Sequence, residues 1–554
     1  MVRNPPDRDI FPIRNHYVQL SLYYGQNLYR NTMTTFFEKP ICWLVLLATL
    51  LLTSCTESTD RVLNLPITDL TTAALIPLPQ EMRATNSGFA LDEYTALSTA
   101  GAEDFADVSA FLAKAITDHT GLQIPTGNAS EGGALTVISL EQTGDLGNSE
   151  AYRLVITEDS IRLQAGTAAG AFRGVQTIRQ LIPHASTDTL AENPIWVIPT
   201  GTITDEPQYV YRASMLDVSR HFFGVDDVKK YIDLMAYYKM NTLHLHLSDD
   251  QGWRIEIKSW PRLTEVGGST EVDGGEGGFF TQEQYTEIVQ YAADHHITVV
   301  PEIDMPGHTN AASVAYPILN GNGKTPELYT GREVGFSTFD SRKDTVYAFI
   351  DDVVREIAAL TPGPYFHIGG DESHVTEKPD YNYFVERVQG IVQKHGKRMM
   401  GWDEIVTADI DSTAIAQVWA NKENGEQGIA KGMKLILSPS DRAYLDMKYD
   451  SSSTYGYTWA GLIPVDVGYD WDPEEYFPKE HVLGLDAPLW SETIAELDEL
   501  EYLAFPRLLG YAELGWTTQD KRDWETYRVR LGRQAPFLER MNVNFYRSEK
   551  VDWE

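Results

Sequence analysis

Cysteine is almost missing from this chain. Two occur in 554 residues, Cys42 and Cys55, both near the N-terminus. Whatever folds after them has no disulfide framework and no cysteine-based zinc site. Positive charge is scarce as well: 45 Lys and Arg stand against 80 Asp and Glu, a net charge of −35. Phosphate binding needs clustered cations, so nucleic acid is excluded as a partner. The acidic balance reads as a solvated surface. The Gly-rich stretch GGSTEVDGGEGGFF (267–280) is not a phosphate cradle, because no helix with Lys-Ser/Thr opens from it. What is plentiful is apolar material. With 42% hydrophobic and 11% aromatic residues the chain can bury sizeable cores, and its length predicts two or three domains.

The apolar run ICWLVLLATLL (41–51) is too short to cross a bilayer comfortably but suits the core of a signal peptide. It leads into LTSC (52–55), which resembles the lipobox of bacterial lipoproteins, with Cys55 as the lipidation site. Met33 offers a second start ahead of this run. Thr56 after Cys55, with no Asp there, favours the outer membrane. Residues 1–54 are therefore read as an upstream extension plus lipoprotein signal peptide, and 55–72 as a polar linker.

From 73 to 206 the pattern predicts a small α/β domain. ALTVISL, AYRLVIT and SIRLQAG alternate like strands, while AEDFADVSAFLAKAITDHTG and TAAGAFRGVQTIRQLIP carry helical apolar spacing. No catalytic constellation stands out there. From 207 to 520, eight short apolar segments alternate with amphipathic helices: RASMLDVSR, TLHLHLSDD, ITVVPEIDMPG, PYFHIGGDE, RMMGWDEI, AIAQVWA, KLILSPS and VLGLDAPLW. This predicts an α/β fold, a (β/α)8 TIM barrel, with its active site at the C-terminal strand ends. Residues 521–554 read as a helical extension.

Those strand ends carry the chemistry. In YFHIGGDES (365–373), Asp371 and Glu372 stand side by side, and both reach one pocket only if the chain turns, which Gly369 and Gly370 permit. Opposed-carboxylate glycosidases separate their two acids by about 5 Å or more, which a sequence-adjacent pair fits poorly. The pair fits better if one carboxyl moves a proton and the other steadies the substrate. A metal-dependent hydrolase is the rival: His244 and His246 lie on one strand face, with His308 and Asp371 on later strands. Trp402, Trp419, Trp459 and Trp490 come from separate late strand ends or loops and suit stacking on a sugar face. Arg220 could grip vicinal hydroxyls with its planar fork, and Glu492 and Asp446 could accept from others.

Taken together, LDVSRHFF, NTLHLHLSDDQGWR, PEIDMPGH, FHIGGDES, GWDEI, YLDMKY, PLWSE and FPRLLGYAELGW, in order and spacing, resemble a family 20 glycoside hydrolase, a β-N-acetylhexosaminidase. The resemblance covers about residues 73–520 and implies substrate-assisted catalysis with no metal or organic cofactor. By that resemblance Glu372 would be general acid and base, Asp371 would accept the acetamido N–H, and Tyr444 would aim its oxygen. Trp402, Trp419 and Trp490 would box the acetyl methyl, with Trp459 beside them. Arg220 would hold the 3- and 4-hydroxyls, Glu492 the 4-hydroxyl and Asp446 the 6-hydroxyl. Asp249, Asp304 and His308 would orient Arg220 and tune Glu372. The implied substrates are oligosaccharides or glycoconjugates ending in N-acetylhexosamine. The leaving-group side is expected from the loops 267–280 and 460–476.

Overall fold

A computed structural model describes residues 65–99, 102–127, 134–187, 194–321 and 326–554. Cys42, Cys55, the apolar run and most of the 55–72 linker lie outside the described residues. No described helix is long and apolar enough to cross a membrane.

The first part of the described chain is a six-stranded sheet. Its strands are β1 (Glu81–Leu91), β2 (Thr95–Ser98), β3 (Thr136–Gln142), β4 (Tyr152–Ile156), β5 (Ser160–Ala165) and β6 (Trp196–Asp205), in the order β1-β6-β4-β5-β3-β2. The three segments with clean alternation become β3, β4 and β5. The other three strands lie outside the predicted segments, and for two of them the reason is physical. β6 contains Pro199 and Gly201, and the β1–β6 register shifts between Ala84 and Gly88, so neither has an unbroken two-residue period. Helix Ala106–Thr120 ends at Gly121 in the left-handed region, its N–H bonded to Thr117 O. Helix Ala168–Leu181 packs on β4 and β5 and is buried on almost every side. Gly174 permits that approach, since a Cβ there would meet Leu163 Cδ1 at 2.3 Å.

The second part is a closed barrel of eight parallel strands. They are β7 (Tyr211–Asp217), β8 (Thr242–His246), β9 (Thr298–Glu302), β10 (Tyr365–His367), β11 (Arg398–Trp402), β12 (Ile415–Val418), β13 (Lys434–Leu437) and β14 (Val482–Leu489), with β14 pairing back onto β7. All eight coincide with the segments the apolar alternation picks out. The helices between them bury one stripe against the strands; Asp344–Leu360, for example, buries Val346, Phe349, Ile350, Val353, Val354 and Ile357. Inside the barrel, Tyr211, Ala213, Val300, Met400, Ile415 and Ile436 form an apolar cluster. Nearer the strand ends the interior turns polar, with His244, His246, Glu302, His367, Gln417 and Asp486 all fully buried.

Buried ion pairs fasten the small sheet domain to the barrel. Glu150, just before β4, takes Arg173 at 2.8 Å and, from the start of β7, Arg212 at 2.7 Å. Asp205, at the end of β6, takes Lys239 at 3.0 Å and the Trp516 indole N–H at 2.8 Å. Arg212 and Lys239 sit where β7 and β8 begin, so the contact is at the barrel's N-terminal rim. The C-terminal rim stays open for a site.

Candidate active site

Strand β10 stops at His367, and the chain then turns sharply. Gly369 and Gly370 have φ of 65° and 100°, and Glu372 itself has φ 44°. A non-glycine residue in that region carries strain of order 1–3 kcal/mol, held here by the surroundings. The Gly370 peptide is fixed from both sides: its N–H donates to Asp304 Oδ1 at 3.0 Å, and Tyr381 donates to its carbonyl at 2.6 Å. The turn brings Asp371 and Glu372 into one cavity of about 560 Å³, within the range of small-ligand sites. Its wall also holds Arg220, Trp419, Tyr444, Asp446, Tyr457, Trp459, Trp490 and Glu492.

Aromatic groups form one side. Tyr444 lies nearly parallel to Trp419 with centroids 6.2 Å apart, meets Trp459 edge-on at 5.7 Å, and stands 6.4 Å from Trp490. Trp459 is 57% exposed and marks the cavity mouth. Trp402 is buried to 1% and is not on the cavity surface; it packs 5.7 Å from Trp490 and donates its indole N–H to Glu302 at 3.0 Å. It therefore supports the aromatic wall from beneath.

The other side is charged. Arg220 stacks over the Trp490 ring at 4.8 Å and is held by Asp249 at 2.8 Å and Asp217 at 3.2 Å. Asp249 also takes His308 Nδ1 at 3.1 Å, and His308 Nε2 points between Glu372 (3.6 Å) and Asp371 (3.8 Å). Asp249 and His308 thus stand behind Arg220 and Glu372, while Asp304 pins the turn. Burial, reinforced by Asp304, pushes the Asp371 carboxyl well above the usual range despite His308. Burial likewise raises Asp304 to about 7, and it raises Asp446 and the Tyr444 phenol well above their ordinary values. Asp249 goes the other way: Arg220 and His308 outweigh its burial. Four buried atoms of wall residues make no hydrogen bond within the protein: Arg220 Nε, Asp371 Oδ1, Asp446 Oδ1 and Glu492 Oε2. A donor, three acceptors and an aromatic flank suit a polyhydroxylated ring bearing an amide.

His244 and His246, the ligands of the metal alternative, lie deeper in the barrel. His246 has Nδ1 2.7 Å from Glu302 and Nε2 2.9 Å from Asp249; His244 has Nδ1 2.9 Å from Asp486 and Nε2 3.0 Å from Glu302. Each ring nitrogen faces a carboxylate, which is the arrangement of an imidazolium rather than of a ring offering a lone pair.

Besides Tyr457 in the wall, two parts of the site escape the sequence reading. Neither loop 267–280 nor loop 460–476 lines the cavity; Arg332, Glu333 and Val334 do. They come from a long segment before helix Asp344–Leu360 and are held against the acidic turn, where a Cβ on Gly335 would meet His374 Nδ1 at 2.2 Å and Glu372 O at 2.9 Å. Nothing in their local sequence signals this. Glu302 is the second, since in sequence it is only one more acidic strand end.

Comparison with known proteins agrees with this geometry. The family model described as "Glycosyl hydrolase family 20, catalytic domain" matches residues 209–519, and "Glycosyl hydrolase family 20, domain 2" matches 72–206. A beta-N-acetylhexosaminidase of Cellulomonas fimi is 39% identical over 488 residues, covering 87% of this chain and 97% of that protein. The solved structure of a GH20 beta-N-acetylhexosaminidase from Streptomyces coelicolor superposes with a TM-score of 0.83 at 46% identity, covering 88% of this chain and 100% of the other. That of the Streptomyces plicatus enzyme in complex with Thio-NAglucal gives a TM-score of 0.83 at 47% identity, covering 88% and 99%. The chain belongs to glycosyl hydrolase family 20.

Proposed function

We propose that the cavity removes terminal, non-reducing β-linked N-acetylhexosamine with the substrate's own acetamido oxygen as nucleophile. One observation carries this most directly: the two carboxyls that flank His308 are neighbours in the chain and enter the cavity together, rather than facing each other across it. The acetamido oxygen attacks the anomeric carbon as the glycosidic bond breaks, and Glu372 gives its proton to the departing oxygen. Asp371 accepts the acetamido N–H through Oδ1 and balances the positive charge of the oxazolinium ring. That charge draws the Asp371 carboxyl back toward its ionised form, against the burial that raises it. The Tyr444 phenol, kept protonated by burial, donates to the acetamido oxygen and aims it.

Glu372 then takes a proton from water, which attacks the same carbon and reopens the ring. Two displacements at one carbon retain its configuration. Trp419 and Trp490, backed by Trp402, enclose the acetyl methyl, and Trp459 extends the wall toward the mouth. Arg220 and Glu492 hold the 3- and 4-hydroxyls and Asp446 the 6-hydroxyl, using the atoms left unpaired within the protein. Chitobiose belongs among the substrates of this reading; one relative, from Vibrio harveyi and 29% identical, is named N,N'-diacetylchitobiase.

The test compares an aryl β-N-acetylglucosaminide with the aryl β-glucoside, each with and without EDTA. Rapid, chelator-insensitive release from the acetamido glycoside alone is expected. Equal cleavage of both glycosides, or loss of activity in EDTA, overturns the reading. We also propose that the protein is exported and anchored through a lipid on Cys55 to the bacterial outer membrane, on the strength of the run 41–51 and LTSC. Labelled palmitate should enter the wild-type chain and not Cys55→Ser; equal labelling of both sinks the anchor.

A further inference from the structure

One fully buried acid of the barrel has no part in the mechanism above. Glu302 ends β9 with no exposure to solvent, and four side chains from three other strands converge on its two oxygens. Oε1 takes the Trp402 indole N–H at 3.0 Å and faces His367 Nδ1 at 2.9 Å; Oε2 faces His246 Nδ1 at 2.7 Å and His244 Nε2 at 3.0 Å. From His246 the line continues outward. Its Nε2 meets Asp249 Oδ2 at 2.9 Å, the oxygen that also holds Arg220, and Asp249 Oδ1 meets His308 Nδ1 at 3.1 Å. His308 Nε2 is 3.6 Å from Glu372.

We infer that Glu302 and His246 are positioning residues that couple the acetamido wall, through Trp402, to the general acid, through Asp249 and His308. The inference rests on the function proposed above. Its logic is one of alternation. A ring with a carboxylate at each nitrogen satisfies both only by carrying both protons, so Glu302 fixes His246 as the doubly protonated ring. That ring, with Arg220, fixes the charge and direction of Asp249. Asp249 in turn takes the His308 Nδ1–H and so aims Nε2, which by the same rule also carries a proton, between Glu372 and Asp371. The same Glu302 carboxylate orients the Trp402 indole under Trp490, so one buried charge sets both the pocket that aims the nucleophile and the group that protonates the leaving oxygen. The ionisable groups facing Glu302 and His246 are His244 on β8, His367 on β10, Asp304 beyond β9, Asp249 after β8 and Asp217 on β7; Asp486 on β14 is reached through His244.

The experiment is a pH profile of kcat and kcat/KM on the aryl acetamido glycoside for wild type, Glu302→Gln, His246→Gln and the double variant. The Glu302→Gln change keeps an acceptor for Trp402 and the side-chain volume, so packing alone changes little. Glu302→Gln removes a buried negative charge and with it the second proton of His246, so the field at Asp249 and His308 changes and the alkaline limb should move by about half a pH unit or more. The fall in kcat should be about tenfold or greater, with KM within about threefold, and the double variant should be no worse than the poorer single one. Superimposable pH limbs, or losses that multiply in the double variant, overturn the inference. If neither variant folds, the downfield imidazole N–H proton signals of the wild type decide. They should move on saturation with N-acetylglucosamine, and unmoved signals overturn it. Wild-type activity on the plain glucoside would instead strike at the function proposed above, so the two failures are distinguishable.

Discussion

Asp371 and Glu372 divide the reaction so that their variants differ in kind. Glu372 gives a proton to the departing oxygen, a service that matters less as the leaving group becomes more acidic. Glu372→Gln should lower kcat/KM by about 10²- to 10⁴-fold on chitobiose. It should fall much less in the first step on a dinitrophenyl glycoside, which burst kinetics would read. Asp371→Asn removes the carboxylate that balances the oxazolinium charge, so both substrates should lose about 10²-fold or more. Equal leaving-group dependence in the two variants would sink this assignment. Asp371→Asn should leave the melting temperature near that of the wild type, because Asp371 Oδ1 has no partner within the protein.

At the scale of elements, the turn after β10 is where backbone conformation determines chemistry. A Cβ on Gly369 would lie 1.9 Å from Asp304 Oδ1, at a φ of +65°. Gly369→Ala should therefore displace Asp304, release the Gly370 peptide and misdirect both carboxyls. We expect a stability loss of about 1–3 kcal/mol in chemical denaturation together with a large fall in kcat. Gly390, exposed within helix Lys378–Lys394, is the control, because a Cβ there meets nothing within 4 Å. Gly390→Ala should stabilise by about 0.5–1 kcal/mol and leave kcat unchanged. Similar behaviour of the two alanines would mean that the turn is not under the constraint described.

For the whole molecule, the seam between sheet domain and barrel depends on Glu150. Burial opposes its charge, but Arg212 and Arg173 outweigh that and hold its pKa at about 2. A depressed carboxyl adds stability at pH above its unfolded value, near 4.5, and that stability is lost as pH falls toward about 2. The protein should therefore weaken across that window. Glu150→Gln should cost about 3–5 kcal/mol at pH 7, because it leaves two guanidinium groups buried without a counter-charge, and its stability should change less between about pH 4.5 and 2. Denaturant unfolding at several pH values checks this, and an unchanged pH slope would count against it. KM should not move, since the seam lies at the rim opposite the site.

Local sequence determined the elements whose signals are local. The eight barrel strands follow from apolar runs, β3 to β5 from two-residue alternation, and the turn after β10 from two glycines before two acids. The motifs in order carried the resemblance that pointed to the family. Where the signal is interrupted, as in β1 and β6 with their bulge, Pro199 and Gly201, local pattern falls silent. Closing the barrel decided the rest, because it joins residues that the chain keeps far apart. It brought Glu302 from β9 against histidines of β8 and β10 and a tryptophan of β11. It put Trp402 beneath the cavity surface, and it laid residues 332–334 beside Glu372. None of these contacts has a period, a spacing or a composition of its own; each exists only because eight strands close on one another.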